Sequence, residues 1–346
     1  MLGRGAIHTR AAFTITELLV VSAVLALLTG LLLPSLSGAR SAARQSACAA
    51  MQKQLVGGLL KYAADQDEWV PGYNTSGRSL WPSASERAIG ALSRHSEAPV
   101  QINDWISPAL AGNPLPTDRH ERFYWLLEQM SCPCMELRAP IWFGGAGGDR
   151  GGLDMLEWME ERGREPARGV SYLMPTNFQL YGGPRVPRDP IITQHSSTKL
   201  QELARVCRLR GDYRPRVDSV GAASRKIAVA DGFRYLGLRV IDFDASYTHA
   251  NWGSFSERSA CDIESRSWGR TGGGGTGFNL SVVYRHTGRI NAAMWDGHVE
   301  PLGMRASRDP GLWAPSGSML MPAVALDPDS KGFGVDPTDP MRNRIH

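Results

Sequence analysis

Residues 13 to 33 read FTITELLVVSAVLALLTGLLL, a run of 21 residues that is apolar apart from a few small hydroxyls and one acid, Glu17. A helix over this run is about 31 Å long, enough to cross a hydrocarbon core of about 30 Å. A charged side chain at that depth costs roughly 2.5–3.5 kcal/mol, so Glu17 calls for a partner. Pro34 follows at once, and then a segment whose Leu36, Ala43, Ala47, Met51, Leu55, Leu59 and Tyr62 fall on one helical face. The spacing predicts one long helix ending near Asp65, apolar all round at first and amphipathic afterwards. Pro34 bends it, and Gly57-Gly58 weakens it further along.

Three uses of such a segment compete. The simplest is a plain membrane anchor, with Glu17 near the interface. The second is a secretory signal cut after Ala39, although the apolar core exceeds the usual length of about 7–15 residues. The third is a cut between Ala12 and Phe13, which frees an α-amino group at Phe13. Glu17 of one subunit then pairs with the amino group of a neighbour, each charge offsetting the other's desolvation.

Residues 10 to 36, RAAFTITELLVVSAVLALLTGLLLPSL, closely resemble the N-terminus of type IV prepilins and type II secretion pseudopilins. The resemblance implies cleavage between Ala12 and Phe13 and N-methylation of Phe13, with Glu17 and Pro34 at the family's fifth and twenty-second mature positions. Ala12 departs from the glycine usual before the cut. By the same resemblance, residues 1–12 are a leader, 13–34 a transmembrane helix, 35–68 its amphipathic continuation, and 69–346 an extracytoplasmic pilin-like domain. The implied partners are a prepilin peptidase/methyltransferase, other pilin or pseudopilin subunits met through the helix, and an inner-membrane assembly platform. The implied location is the bacterial inner membrane, single-pass, N-terminus cytoplasmic, or the cell surface after assembly. Flanking charge does not decide orientation: Arg4 and Arg10 precede the span, and Arg40, Arg44 and Lys53 follow it. The size of the head favours a minor or specialised subunit.

Beyond the helix, 38 glycines and 22 prolines point to a loop-rich domain. The 38 basic residues are scattered and nearly matched by 34 acidic ones, so there is no nucleic-acid footprint. Helical pattern appears in LDMLEWMEERGRE and TKLQELARVC. Strands are expected at 226–230, 235–242, 279–285, 289–294 and 298–302, the last three joined by HTG and DG turns as an antiparallel meander. A helix laid on such a sheet makes an α+β domain. The Gly-rich stretches 144–152 and 270–277 lack a following Gly-Lys-Ser/Thr and read as surface loops. The segment from Asp327 to His346 reads as poorly ordered.

The ending HTGRINAAMWDGHVEPL places nine residues between His286 and Asp296-Gly297. This is similar to the H-X9-DG signature of planctomycete-type large prepilin-like proteins, and CAAMQKQL, SYLMPTNF and KIAVADG agree with that family. The signature marks the domain and implies no catalysis. Physically, His286 is expected to bond Asp296 and pin the turn, with a metal site of His286, Asp296 and His298 as the sharper alternative. Asp231-Gly232 reads as a turn. No serine sits in a Gly-x-Ser-x-Gly setting, so no enzyme and no cofactor are expected. Of Cys48, Cys132, Cys134, Cys207 and Cys261, the last four are candidates for disulfides of unassigned pairing. Cys132-Pro133-Cys134 lacks the second short Cys/His pair usual in zinc sites. A different class of function is an anchored solute- or carbohydrate-binding protein, with NWGSF, SWGR and GYNTSGRSLWP as contact loops.

Overall fold

The computed structural model describes residues 14–72, 100, 103–138, 141–142, 158–182, 206–233, 241–242, 255–272, 278–322 and 326–346. Ala12 and Phe13, the Gly-rich residues 144–152 and 273–277, most of TKLQELARVC and residues 235–240 lie outside them. The fold is α+β. Among the described residues its helices include α1 (Ile15–Asp65), α2 (Ile106–Ala109), α3 (Arg119–Gln129) and α4 (Phe278–Val283). Its strands are β1 (Ile141–Trp142), β2 (Tyr172–Pro175), β3 (Cys207–Arg208), β4 (Ile227–Asp231), β5 (Ile241–Asp242), β6 (Ser256–Glu257), β7 (Arg289–Met294), β8 (Val299–Gly303) and β9 (Met319–Leu320).

Helix α1 is continuous through Pro34 and is long and apolar enough to cross a membrane. Its first turn closes a feature absent from the pattern reading. Thr14 Oγ1 accepts from the Glu17 amide at 3.2 Å, while Glu17 Oε2 accepts from the Thr14 amide at 2.9 Å. This reciprocal capping box satisfies backbone donors that a helix start leaves open. Along the same helix Ile15, Leu18, Leu25, Leu31 and Leu36 are exposed.

The chain divides into two compact units, Met1–Arg44 and Gln45–His346, so the distal part of α1 belongs with the globular domain. The inward face of that part is Cys48, Gln52, Leu55, Val56, Leu59 and Ala63. Leu55 and Leu59 match the expected stripe, but Ala43 and Ala47 are exposed. The true face is rotated by about one residue because two polar groups, Cys48 and Gln52, point inward with hydrogen-bond partners.

The main sheet has the order β6-β2-β4-β7-β8. It is antiparallel except where β2 runs parallel to β6. All five residues of the central strand β4 are buried, which its short unbroken apolar run foretells. The β7–β8 hairpin turns at Asp296-Gly297, where Gly297 has φ +90° and supplies a left-handed conformation other residues resist. Residues 279–285 correct the expected meander: the segment is largely the helix α4, and only the β7–β8 pair of the three is a hairpin. Asn279 Nδ2 donates to the carbonyls of Ser267 and Gly269, both at 2.9 Å, and this docking overrides the strand preference of Val282 and Val283. Among the described residues there are also two short pairs, β1–β5 and β3–β9.

The C-terminal segment is also a correction, because it is bound in. Leu320 donates to the Asn343 carbonyl at 2.7 Å, Ile345 donates to Ser318 at 2.8 Å, and Ile345 is buried in a small second core with Leu180, Cys207, Tyr213 and Cys261.

Candidate metal centre

Four segments far apart in sequence each send one side chain to a common point. Helix α1 supplies Cys48, one turn before Gln52 on the same face. The turn after α3 supplies Cys132, whose sulfur accepts from the Cys134 amide at 3.4 Å. The end of β4 supplies Asp231, paired across the sheet with Tyr172. The tight turn after α4 supplies His286, held by mutual backbone hydrogen bonds with Arg289 of 3.2 and 3.1 Å. Thr287 and Gly288 of that turn both have positive φ. The donor atoms of Cys48, Cys132, Asp231 and His286 all lie within 4.8 Å of one another, and all four residues are buried.

Within the cluster, Cys48 Sγ is 3.1 Å from Asp231 Oδ1, Cys132 Sγ is 3.5 Å from His286 Nε2, and His286 Nε2 is 3.2 Å from Asp231 Oδ2. A second set of groups fixes these four. Tyr172 donates its hydroxyl to Cys48 Sγ at 3.3 Å. Asp231 Oδ1 also accepts from Gln52 Nε2 at 3.0 Å and from Arg285 at 2.8 Å, and Oδ2 accepts from the Asn291 amide at 2.7 Å.

The charges follow from these contacts. Burial pushes the Asp231 carboxyl up, but the Arg285 guanidinium, His286 and the Asn291 amide outweigh it and hold the group below the usual carboxylate range. Burial likewise opposes a charged His286, and the Asp231 and Cys132 contacts reverse that, raising it to about 9. The two thiols diverge. Burial, the Cys132 contact and the Asp231 charge push Cys48 up. The Cys48 hydrogen bond, against burial and with help from His286 and Arg285, pulls Cys132 down.

A cysteine, a histidine and an aspartate together invite comparison with a nucleophilic triad, in which the acid orients the base from its far nitrogen. Here Asp231 meets Nε2, the same nitrogen that faces Cys132. None of the sulfurs or the carboxylate reaches solvent, Cys48, Cys132 and Asp231 being 0% exposed. The arrangement suits ligation rather than attack on a substrate.

The residues singled out from sequence separate into two groups. His286 is in the cluster but bonds Asp231, not Asp296. Asp296 instead pairs with His298, Nδ1 to Oδ1 at 2.6 Å, on the exposed β7–β8 turn. The grouping of His286, Asp296 and His298 is therefore not the one the fold makes. Asp231, read as a turn residue, is its hub, and Cys48, left out of the disulfide candidates, is a member. All five cysteines are free thiols. Cys207 and Cys261 lie in the second core, where burial pushes both thiols up, Cys261 to about 12. Of the proposed aromatic contact loops, SWGR turns inward: Trp268 is buried, donates its indole N–H to the Asp231 carbonyl at 2.8 Å and packs on Trp313 at 4.7 Å between ring centroids. The tryptophans of NWGSF and GYNTSGRSLWP lie outside the described residues. No family model, curated protein or solved structure matches this chain.

Proposed function

We propose that this chain is a prepilin-like structural subunit, anchored by its N-terminal helix and assembled through that helix into a type II secretion or type IV pilus-like filament. One observation carries the reading. A single 51-residue helix presents an exposed apolar half with one acid in its first turn, and sinks its other half into an α+β domain. A plain anchor has no need of a continuous helix of that length or of an acid at that position. Glu17 is held locally by Thr14 in the isolated chain, and in a filament the neighbour's Phe13 amino group competes for the same carboxylate. Prepilin peptidase/methyltransferase and the assembly platform are the partners this reading requires. The large loop-rich head suits a minor or specialised subunit.

The test is the intact mass and N-terminal sequence of the protein taken from its native membranes. A mature chain beginning at N-methylated Phe13 is expected. A chain beginning at Met1 or at Arg40 sinks the proposal. Glu17→Gln then probes assembly, since glutamine still serves the capping box but carries no charge.

A further inference from the structure

We propose that Cys48, Cys132, Asp231 and His286 bind one zinc-class divalent ion as a closed structural site that fastens the helix to the sheet of the globular domain. Zinc bonded to thiolate at about 2.3 Å, and to imidazole and carboxylate at about 2.0–2.2 Å, gives tetrahedral ligand–ligand edges of roughly 3.3–3.8 Å. In the structure Cys48 Sγ is 3.1 Å from Asp231 Oδ1, Cys132 Sγ is 3.5 Å from His286 Nε2, and His286 Nε2 is 3.2 Å from the other carboxylate oxygen, Oδ2. One donor atom from each residue lies within 4.8 Å of the other three, close enough for small side-chain shifts to bring all four onto one ion. Two sulfurs, one imidazole nitrogen and one carboxylate oxygen are a donor set that favours zinc over magnesium or calcium, which take oxygen ligands.

Three further observations fit a bound cation. First, one nitrogen, His286 Nε2, faces both a sulfur and a carboxylate oxygen. A single N–H serves one of them well, whereas an ion at the centre satisfies all three. Second, the supporting contacts are those a ligated centre needs. Tyr172 and the Cys134 amide donate to the two sulfurs, and Gln52, Arg285 and the Asn291 amide orient the carboxylate. Third, the charges balance. With both thiols ionised, two thiolates, the Asp231 carboxylate, the Arg285 guanidinium and a divalent ion sum to zero, as a buried site demands. All four corners are filled by protein, so no position is open for water or substrate, which makes the site structural rather than catalytic. On binding, the ion displaces to solvent the protons held by the two sulfurs and by His286 Nε2, leaving two thiolates and a neutral imidazole as ligands, and no electrons are transferred.

The experiment uses the full-length chain in detergent, purified without chelator and with a non-thiol reductant. Native mass spectrometry and elemental analysis should find one zinc ion per chain, released when a mercurial blocks the thiols. Cobalt exchange should give the intense visible bands of a tetrahedral thiolate centre. Cys48→Ala and His286→Asn should each lose at least tenfold in metal affinity, while Cys207→Ala in the second core keeps the ion. Because either cluster variant risks misfolding, the wild-type result stands by itself. A cooperatively melting wild-type chain that carries no ion and takes up neither zinc nor cobalt overturns the proposal. In a parallel preparation without reductant, an intact mass two hydrogens light, with a peptide linking Cys48 to Cys132, overturns it in favour of a disulfide.

Discussion

Gly57 and Gly58 are neighbours in one helix, yet replacing each by alanine should move stability in opposite directions. A glycine inside a helix costs about 0.8–1.0 kcal/mol relative to alanine. A Cβ on Gly57 meets nothing within 4 Å, so Gly57→Ala should recover that amount. A Cβ on Gly58 falls 1.8 Å from the Ala109 carbonyl oxygen and 2.7 Å from its carbonyl carbon. Ordinary carbon contacts lie near 3.5–4.0 Å, so the two backbones must part by roughly 1.5 Å or more. Neither can yield easily. Leu55, Val56 and Leu59 seat the helix in the core. On the other side Asp104 Oδ1 accepts from the amides of Ile106 and Ser107, both at 3.0 Å, and fixes the start of α2. Overpacking of this kind costs about 1–3 kcal/mol, and here it also cancels the helix-propensity gain. Entropy of unfolding near 2.1 cal/mol/K per residue, over a domain of roughly 300 residues, makes 1 kcal/mol worth about 1.6 °C. Thermal unfolding of the full-length variants side by side should place Gly57→Ala about 1.5 °C above wild type and Gly58→Ala about 2–5 °C below. A Gly58→Ala chain melting at or above wild type would refute the close approach of α1 to α2.

Other outcomes follow from the buried charges. Asp231→Asn keeps the shape but leaves the Arg285 guanidinium, 5% exposed, without its carboxylate, and should cost about 3–5 kcal/mol in denaturant unfolding. The double variant with Arg285→Met should cost less than the sum of the two single ones, and strict additivity would argue that the pair is not coupled. Lys226 is buried, donating to the backbone oxygens of Gly311 at 2.7 Å and His346 at 2.8 Å, and burial lowers its pKa from 10.5 to about 8 despite Asp309 nearby. Between pH 8 and 10.5 the unfolded chain holds a proton that the folded chain has given up, so stability should rise with pH across that window. The gain is on the order of 3 kcal/mol. Lys226→Met should flatten that part of the pH profile, and an unchanged slope would place the titration elsewhere.

Much of the architecture could be read from local patterns. The end of α1 at Asp65, the strand at β4 and the hairpin around Asp296-Gly297 each follow from periodicity or turn chemistry within a few residues. Residues 279–285 could not be read that way, because Asn279 is held by the 267–269 turn, a contact between segments. The cluster was hidden for the same reason. Its four donors come one each from a helix, a turn, a strand end and another turn, with no short spacing between any two. Cys132-Pro133-Cys134 has no second short pair because Cys132 alone joins the cluster and meets its partners through the fold. His286 was visible as a signature residue, but its acidic partner lies on the adjacent strand β4 rather than nine residues on. Thr14-Ile15-Thr16-Glu17 is a further local signal, its first and fourth residues having the spacing of a capping box.

The docking of α1 also sets an order of events during synthesis. Gln52 reaches the carbonyl of Asn291, 239 residues later, and Cys48 reaches Asp231, 183 residues later. At about 5–20 residues per second, on the order of 10–50 s pass between the emergence of Gln52 and that of Asn291. The apolar first half of the helix can enter a bilayer at once, whereas Leu55, Val56 and Leu59 must wait for most of the chain. For that interval the chain is unfinished, with an apolar helical face whose partners have yet to be made.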